Sequence, residues 1–84
     1  MIDVKKACEL ATKENKEPFV SSIIDIEHSF VISTLSADGL EADVMPLMVN
    51  KETGKTETCF FPDCFDEISR GKDVDIPAEY QFNN

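Results

Sequence analysis

Near the start of the chain, apolar residues recur at the spacing of a helix that buries one face. Positions i, i+3, i+4 and i+7 of this segment are held by Val4, Ala7, Cys8 and Ala11. Asp3 stands just before them as a helix N-cap, and Pro18 follows, which pushes the preceding residue into extended geometry. The pattern therefore predicts an amphipathic helix over residues 4–16.

Beyond Pro18, short runs rich in β-branched residues alternate with turn-forming residues, which is typical of a small antiparallel sheet. Strands are predicted over residues 19–26, 30–35, 44–50 and 56–61, with turns at Ala37-Asp38-Gly39 and at the hairpin loop 51–55. A short helix is expected over residues 64–70, with Asp63 as its N-cap and Gly71 as its stop. The sequence thus predicts an α+β domain in which the N-terminal helix packs on a four-stranded antiparallel meander sheet.

The predicted strands carry apolar residues on both faces of the sheet, although a sheet with one wet face should alternate apolar and polar residues. In the third strand, Leu47 and Val49 lie on one face, and Val44 and Met48 lie on the other. Because the N-terminal helix covers only one face, we expect the other to be covered by the C-terminal segment, by a second copy, or by a partner. The C-terminal residues in question are Phe65, Ile68, Val74, Ile76, Tyr80 and Phe82.

Length and charge restrict the expected number of domains and the expected partners. The 84 residues make one domain, which we place at residues 1–77, followed by a C-terminal tail at residues 78–84. A formal net charge of -9 repels nucleic acid and anionic membranes, so neither is an expected partner. The sequence contains no apolar run of the ~18 residues that a membrane span needs, and its charged N-terminus is unlike a signal peptide. We therefore expect a cytoplasmic protein.

Residue types that carry catalysis are scattered through the chain. Cys8, Cys59 and Cys64 include no pair at the C-x2-C spacing of zinc ligands, and His28 stands alone in a predicted turn. The serines lack the G-x-S-x-G context of hydrolases, and the three glycines form no phosphate-binding loop. The sequence therefore predicts a protein that is not an enzyme and holds no metal or cofactor. A cysteine-dependent enzyme is the alternative, which selective alkylation of one native cysteine would support.

The last third of the chain concentrates acidic residues. Six of them form the candidate partner-binding set: Glu57, Asp63, Asp66, Glu67, Asp73 and Asp75. An acidic patch of this kind attracts a basic protein and speeds its encounter. The alternative is a solvated surface in which some of these acids cap the short helix.

The hairpin at residues 46–55 carries a resemblance to known families. A strand that ends in a polar residue, then Lys51-Glu52-Thr53-Gly54 and a return strand, is similar to the hairpin of small cystatin-like bacterial domains. With Phe60-Phe61-Pro62 and the acidic segment after it, the chain most resembles the cystatin-like immunity proteins of bacterial polymorphic-toxin systems. The peptidase-propeptide-like domain, which is usually exported, is the second resemblance. The likeness covers most of residues 1–77.

The resemblance to immunity proteins implies a function without catalytic residues, because these proteins bind and block a cognate toxin inside the producing cell. The acidic surface then favours a basic toxin domain, such as a nuclease, as the protein partner. A self-associating structural or regulatory module stays open as an alternative, in which a homodimer forms through the uncovered sheet face. The cysteine-dependent enzyme is the third hypothesis.

Overall fold

The computed structural model describes residues 2–39, 46–58 and 65–82, and for Phe65 and Glu67 it describes the backbone only. The helices are α1 (Val4–Asn15), α2 (Phe65–Arg70) and a 3-10 helix (Ala78–Tyr80). The strands are β1 (Phe19–Asp25), β2 (Ser29–Leu35), β3 (Leu47–Asn50), β4 (Thr56–Thr58) and β5 (Lys72–Asp73). The predicted α+β class, with an N-terminal helix packed on an antiparallel sheet, is confirmed. The predicted strand positions 44–45 and 59–61, and the predicted cap Asp63, lie outside the described residues.

One antiparallel sheet contains all the described strands, in the spatial order β4-β3-β2-β1-β5. β1 to β4 follow one another as the predicted meander. β5 is absent from the sequence prediction, and it pairs with β1 to form the sheet edge opposite β4. The described sheet therefore has five strands rather than the four predicted. The sequence does not predict β5 because a two-residue strand is too short to show an alternation of apolar and polar residues.

Helix α1 begins and ends close to its predicted positions for identifiable reasons. The Asp3 side chain accepts a hydrogen bond from the backbone N–H of Lys6 at 2.8 Å, so the predicted N-cap is confirmed. At the other end, Lys16 adopts a left-handed conformation with φ of 58°, and its N–H donates to the carbonyl of Thr12. Between these ends, the small residues on the inner helix face are fully buried, which lets the helix approach the sheet closely: Ala7, Cys8 and Ala11.

The main core lies between α1 and the sheet side that it covers, here called the helix-side face. Ile23 and Ile32 are Cα partners on β1 and β2, and they expose 1% and 0% of their surface. The core also contains Ala7, Cys8, Ala11, Val20, Phe30, Leu47 and Val49. A hydrogen bond from the Ile2 N–H to the Lys51 carbonyl (2.7 Å) ties the start of the chain to the end of β3.

The opposite side of the sheet, here called the second face, carries a smaller apolar cluster. Ile26 and Val31 are buried there, with half-buried Ile24, Met48 and Ile68 packed against them. Of the C-terminal residues expected on this face, Ile68 of α2 does lie on it. The expectation is wrong for three others, because Val74, Ile76 and Tyr80 pack against the core on the helix side of the sheet. The side chain of Phe65 lies outside the described set.

The end of the chain returns to the body of the domain. The Phe82 ring packs edge-on against Phe19, with 5.4 Å between ring centroids and an interplanar angle of 78°. It also lies over Gly39, where a Cβ atom would sit 2.5 Å from the ring. Gly39 has φ of 80°, so both its backbone conformation and this close approach require glycine.

Candidate binding surface

A row of five residues crosses the second face from one sheet edge to the other. The Cα partners along this row are, in spatial order, Asp73, Ile24, Val31, Met48 and Glu57. Since neighbouring partners in antiparallel strands lie about 4.5–5.5 Å apart, the row spans roughly 20 Å. Its centre is apolar and lies against Ile68 of α2, whereas both of its ends are exposed carboxylates. A partner that approaches this face therefore meets negative charge at two separate edges.

Three of the predicted acids belong to one stretch of chain. Asp66 lies on α2, and Asp73 and Asp75 lie on β5 and the extended segment that follows it; all three side chains are exposed. In extended backbone successive side chains point to opposite sides. Because Val74 packs into the helix-side core, Asp73 and Asp75 share the outer side. We call Asp66, Asp73 and Asp75 the acidic segment.

The rest of the predicted partner-binding set is divided by the structure. Glu57 is exposed on β4, at the sheet edge opposite β5, so it does not belong to the acidic segment. Glu67 lies on α2, but its side chain is outside the description, and Asp63 lies outside the described residues altogether. The predicted single patch is thus two acidic locations at opposite edges of one sheet.

The carboxylates of the acidic segment are available to a partner. The described residues include all eight lysines and arginines of the chain, and none of their side-chain nitrogens forms an ion pair, within 4.0 Å, with a carboxylate oxygen of Asp66, Asp73 or Asp75. Arg70 Nε donates instead to the backbone carbonyl of Asp66 at 3.2 Å. Other acids of the described chain are paired with lysines, as Lys5–Glu79, Lys6–Glu9, Lys51–Asp25 and Lys55–Glu57. The segment therefore presents net negative charge to solvent.

A cleft of about 480 Å³ opens beside the acidic segment, between the β1–β2 turn and the junction of α2 with β5. It is lined by Asp25, Ile26, Glu27, His28, Arg70, Gly71 and Lys72. The volume falls within the range of about 300–1,000 Å³ that small-ligand pockets occupy. However, the cleft mixes both signs of charge, and the His28 side chain on its rim is 83% exposed. The cleft is therefore polar, and its His28 rim is open to solvent.

One wall of the cleft is fixed by an ion pair that joins two hairpins. The Lys51 ammonium, at the end of β3, pairs with the Asp25 carboxylate at the end of β1. The same ammonium lies 5.0 Å from the centroid of the Phe30 ring, within cation–π range. Lys51 is mostly buried and Asp25 about half-buried, so the pair holds the β1–β2 turn against the β3–β4 hairpin.

The other wall depends on the close approach of Gly71 to β1. A Cβ atom on Gly71 would sit 2.5 Å from Ile24 Cγ2, 3.0 Å from the Asp25 carbonyl oxygen and 3.1 Å from Ile26 Cγ2. Only glycine therefore lets the chain pass directly from α2 into the pairing of β5 with β1. The sequence predicts Gly71 as a helix stop, and the structure adds this packing role.

Replacing Gly71 with alanine should destabilise the protein by about 1–3 kcal/mol, the usual cost of overpacking, because the Asp25 backbone cannot yield as a side chain can. Urea unfolding followed by circular dichroism measures this cost. In an Ile24→Ala background the cost should be smaller, since the nearest clashing atom is gone. Equal costs of Gly71→Ala in the two backgrounds would contradict the contact between Gly71 and Ile24.

Cys8 is the one cysteine within the described residues, and it is buried. Burial, with a smaller contribution from Glu79, raises the pKa of the Cys8 thiol to about 11, so this cysteine is a poor nucleophile at neutral pH. Cys59 and Cys64 lie outside the described residues. Within the described part of the chain, no three His, Cys, Asp or Glu side chains come together as metal ligands.

Sequence reasoning did not find the cleft or the Lys51–Asp25 pair. Their residues come from three segments that are far apart in the chain, and no spacing rule connects them. Only the sheet register brings Asp25 beside Lys72, and only the hairpin brings Lys51 to Asp25. The sequence identifies Gly71 as a helix stop, but a glycine that ends a helix and a glycine needed for close packing look alike in a sequence.

Comparisons with known proteins found no matching family model, no related curated protein and no similar solved structure. Among the described residues, no helix is both long enough and apolar enough to cross a membrane.

Proposed function

We propose that this chain is a non-enzymatic binding protein of the immunity type, which blocks a basic toxin domain by occluding its surface. The observation that carries the proposal is the acidic segment, whose three carboxylates are exposed and free of lysine or arginine partners within the described chain. The resemblance of the hairpin to cystatin-like immunity proteins adds support from the sequence. The protein partner is expected to be basic, such as a nuclease toxin.

Occlusion requires affinity and fast encounter, and the two come from different residues. The carboxylates of the acidic segment steer a basic partner and orient it, which raises the association rate at low ionic strength. Half-buried apolar residues beside them, such as Ile68 on α2, add area that becomes buried when the partner docks. No residue of the chain needs to react with the partner, so inhibition is reversible and stoichiometric.

The test compares two triple variants that each change the net charge by the same three units. The variant Asp66→Asn, Asp73→Asn, Asp75→Asn neutralises the acidic segment, and the control Glu14→Gln, Asp38→Asn, Glu52→Gln neutralises exposed acids elsewhere. Association with a panel of basic nuclease toxin domains would be measured by stopped-flow kinetics at low and high salt. We expect the first variant to associate about tenfold more slowly at low salt, and the control to change much less.

The functional arm of the test is protection of living cells. Co-expression of the chain should restore growth of bacteria that express the toxin domain it binds, and the acidic-segment variant should protect less well. Failure of the wild-type chain to bind any domain of the panel at low salt, together with no protection, would contradict the proposal. Equal slowing in both triple variants would still support a basic partner, but it would contradict the acidic segment as the site at which that partner binds.

A further inference from the structure

β4 is the last strand at one edge of the described sheet. Its register with β3 determines which of its backbone N–H and C=O groups point away from the sheet. The Asn50 N–H donates to the Lys55 carbonyl at 2.9 Å, which makes Asn50 and Lys55 a hydrogen-bonded pair. Such pairs alternate along an antiparallel ladder, so Met48 and Glu57 form the next one. The N–H and C=O groups of Thr56 and Thr58 therefore point away from β3, toward the side of β4 that has no neighbouring strand among the described residues.

The side chains on this edge carry opposite charges on the two sides of Thr56. Lys55 precedes Thr56 and Glu57 follows it, and because they are two residues apart their side chains lie on the same face of the strand. Both are exposed, at 75% and 62% of their side-chain surface, and their ammonium and carboxylate groups are 3.9 Å apart within the chain. An exposed pair of this kind contributes little to the monomer, so both charges are free to find other partners.

We propose that β4 pairs antiparallel with β4 of a second copy of this chain, about a two-fold axis at Thr56. Each Thr56 N–H then donates to the Thr56 carbonyl of the other copy. Lys55 of each copy lies opposite Glu57 of the other, so the contact contains two cross-strand pairs of opposite charge. The occupant of the edge is thus a second copy, selected by charge complementarity.

Neighbouring registers do not share this complementarity. An axis at Glu57 would place the two Glu57 carboxylates directly opposite each other, and an axis at Lys55 would do the same with the two ammonium groups. Among registers centred on these three residues, the one at Thr56 is therefore the only one that pairs opposite charges. The symmetry of a two-fold contact makes each favourable pair occur twice.

The net charge of -9 on each copy opposes association, but this repulsion is screened at physiological salt. The Debye length is about 8 Å at 0.15 M ionic strength, which exceeds the cross-strand separation of about 5 Å and is shorter than the roughly 20 Å to the acidic end at β5. Salt therefore screens the two local pairs less than it screens the like charges at the far edge of the sheet. The dimer leaves the acidic segment of each copy exposed, so it is compatible with the proposed function and independent of it.

Charge exchange at the edge tests the proposal by sedimentation equilibrium at about 0.15 M salt. The variants Glu57→Lys and Lys55→Glu each place like charges opposite each other, and dimer dissociation constants should rise at least about tenfold. Mixing the two single variants restores opposite charges in a heterodimer, and the double variant Lys55→Glu, Glu57→Lys restores them in a homodimer. Both should associate about as tightly as the wild-type chain.

The control is Glu52→Lys, which makes the same charge change as Glu57→Lys but lies in the hairpin turn outside the strand. It should leave the dimer unchanged, and circular dichroism confirms that each variant is folded. A wild-type chain that stays monomeric throughout the concentration series would overturn the proposal. A dimer that is insensitive to both single exchanges would also overturn it, because the contact would then lie elsewhere.

Discussion

Replacing Ile23 with alanine should cost about 3–4 kcal/mol of the free energy of unfolding, whereas Ile24→Ala, at the next residue, should cost about 1–2 kcal/mol. The two side chains point to opposite faces of β1. Ile23 exposes 1% of its surface and lies in the core under α1, so its truncation leaves a cavity that the surrounding atoms fill only in part. Ile24 is half-buried on the second face, where solvent and Ile68 can adjust.

The size of the first effect matters because the domain is small. A chain of 84 residues has an expected unfolding free energy of roughly 4–13 kcal/mol, so Ile23→Ala removes a large part of it. Urea denaturation of both variants, with circular dichroism at 25 °C, gives the two costs, and an unchanged m-value would show that the unfolding remains two-state. Equal costs for the two substitutions would contradict the assignment of the main core to the helix-side face.

The sequence was sufficient for the parts of the fold that rest on local signals. Helix α1 follows from its apolar spacing, from the cap at Asp3 and from Pro18, and the structure places it at Val4–Asn15. β1 and β2 follow from their β-branched residues, and the hairpin between β3 and β4 follows from Gly54, which has φ of 75°. In each case a few adjacent residues determine the backbone, so no long-range information is needed.

The parts that were missed depend on contacts between distant segments. β5 consists of two charged residues, and it is a strand only because Gly71 lets the chain dock beside Ile24 and Asp25. That docking also sets the direction of the residues after it. Val74 donates its N–H to the Ile23 carbonyl and turns its side chain toward the helix-side core. The sequence alone offers it instead as part of a C-terminal cover for the second face, which is one of three possible covers.

The candidate binding surface likewise combines features that the sequence shows with features that depend on contacts between distant segments. Composition identified the acidic residues, and four of the six lie in the described chain with exposed side chains. It could not separate Glu57 from the acidic segment, because strand order decides which edge a residue occupies and strand order is a property of the whole sheet. The opposite charges on the two sides of Thr56 are visible in the sequence, but they gain meaning only once β4 is placed at an edge of the described sheet.

Raising the pH above about 9 should destabilise the protein through Cys8, by roughly 2–3 kcal/mol when pH 11 is reached. The thiol has an ordinary pKa of 9.0, and in the folded protein burial and then Glu79 raise its pKa to about 11. Between these values the unfolded chain loses the thiol proton while the folded chain keeps it. Because the folded state then binds more protons, each increase in pH favours unfolding.

The Tyr80 hydroxyl also makes the protein less stable as the pH rises, so the experiment must isolate the effect of the Cys8 thiol. Burial, then Glu79, Glu9 and Cys8 itself, raise the pKa of the Tyr80 hydroxyl, and this group adds its own loss of stability at still higher pH. The variant Cys8→Ala removes the thiol together with its effect on Tyr80, which is the smallest of the four causes given for that residue. It should be less stable than the wild-type chain at pH 8, because a fully buried side chain has been shortened.

The decisive quantity is the difference in unfolding free energy between the wild-type chain and Cys8→Ala, measured by urea denaturation at intervals from pH 8 to pH 11. We expect this difference to shrink steadily above pH 9 and to fall by roughly 2–3 kcal/mol, so that the variant becomes at least as stable as the wild-type chain at the alkaline end. A difference that stays constant over this range would mean that the Cys8 thiol ionises equally in both states. It would therefore contradict the burial of Cys8 between α1 and the sheet.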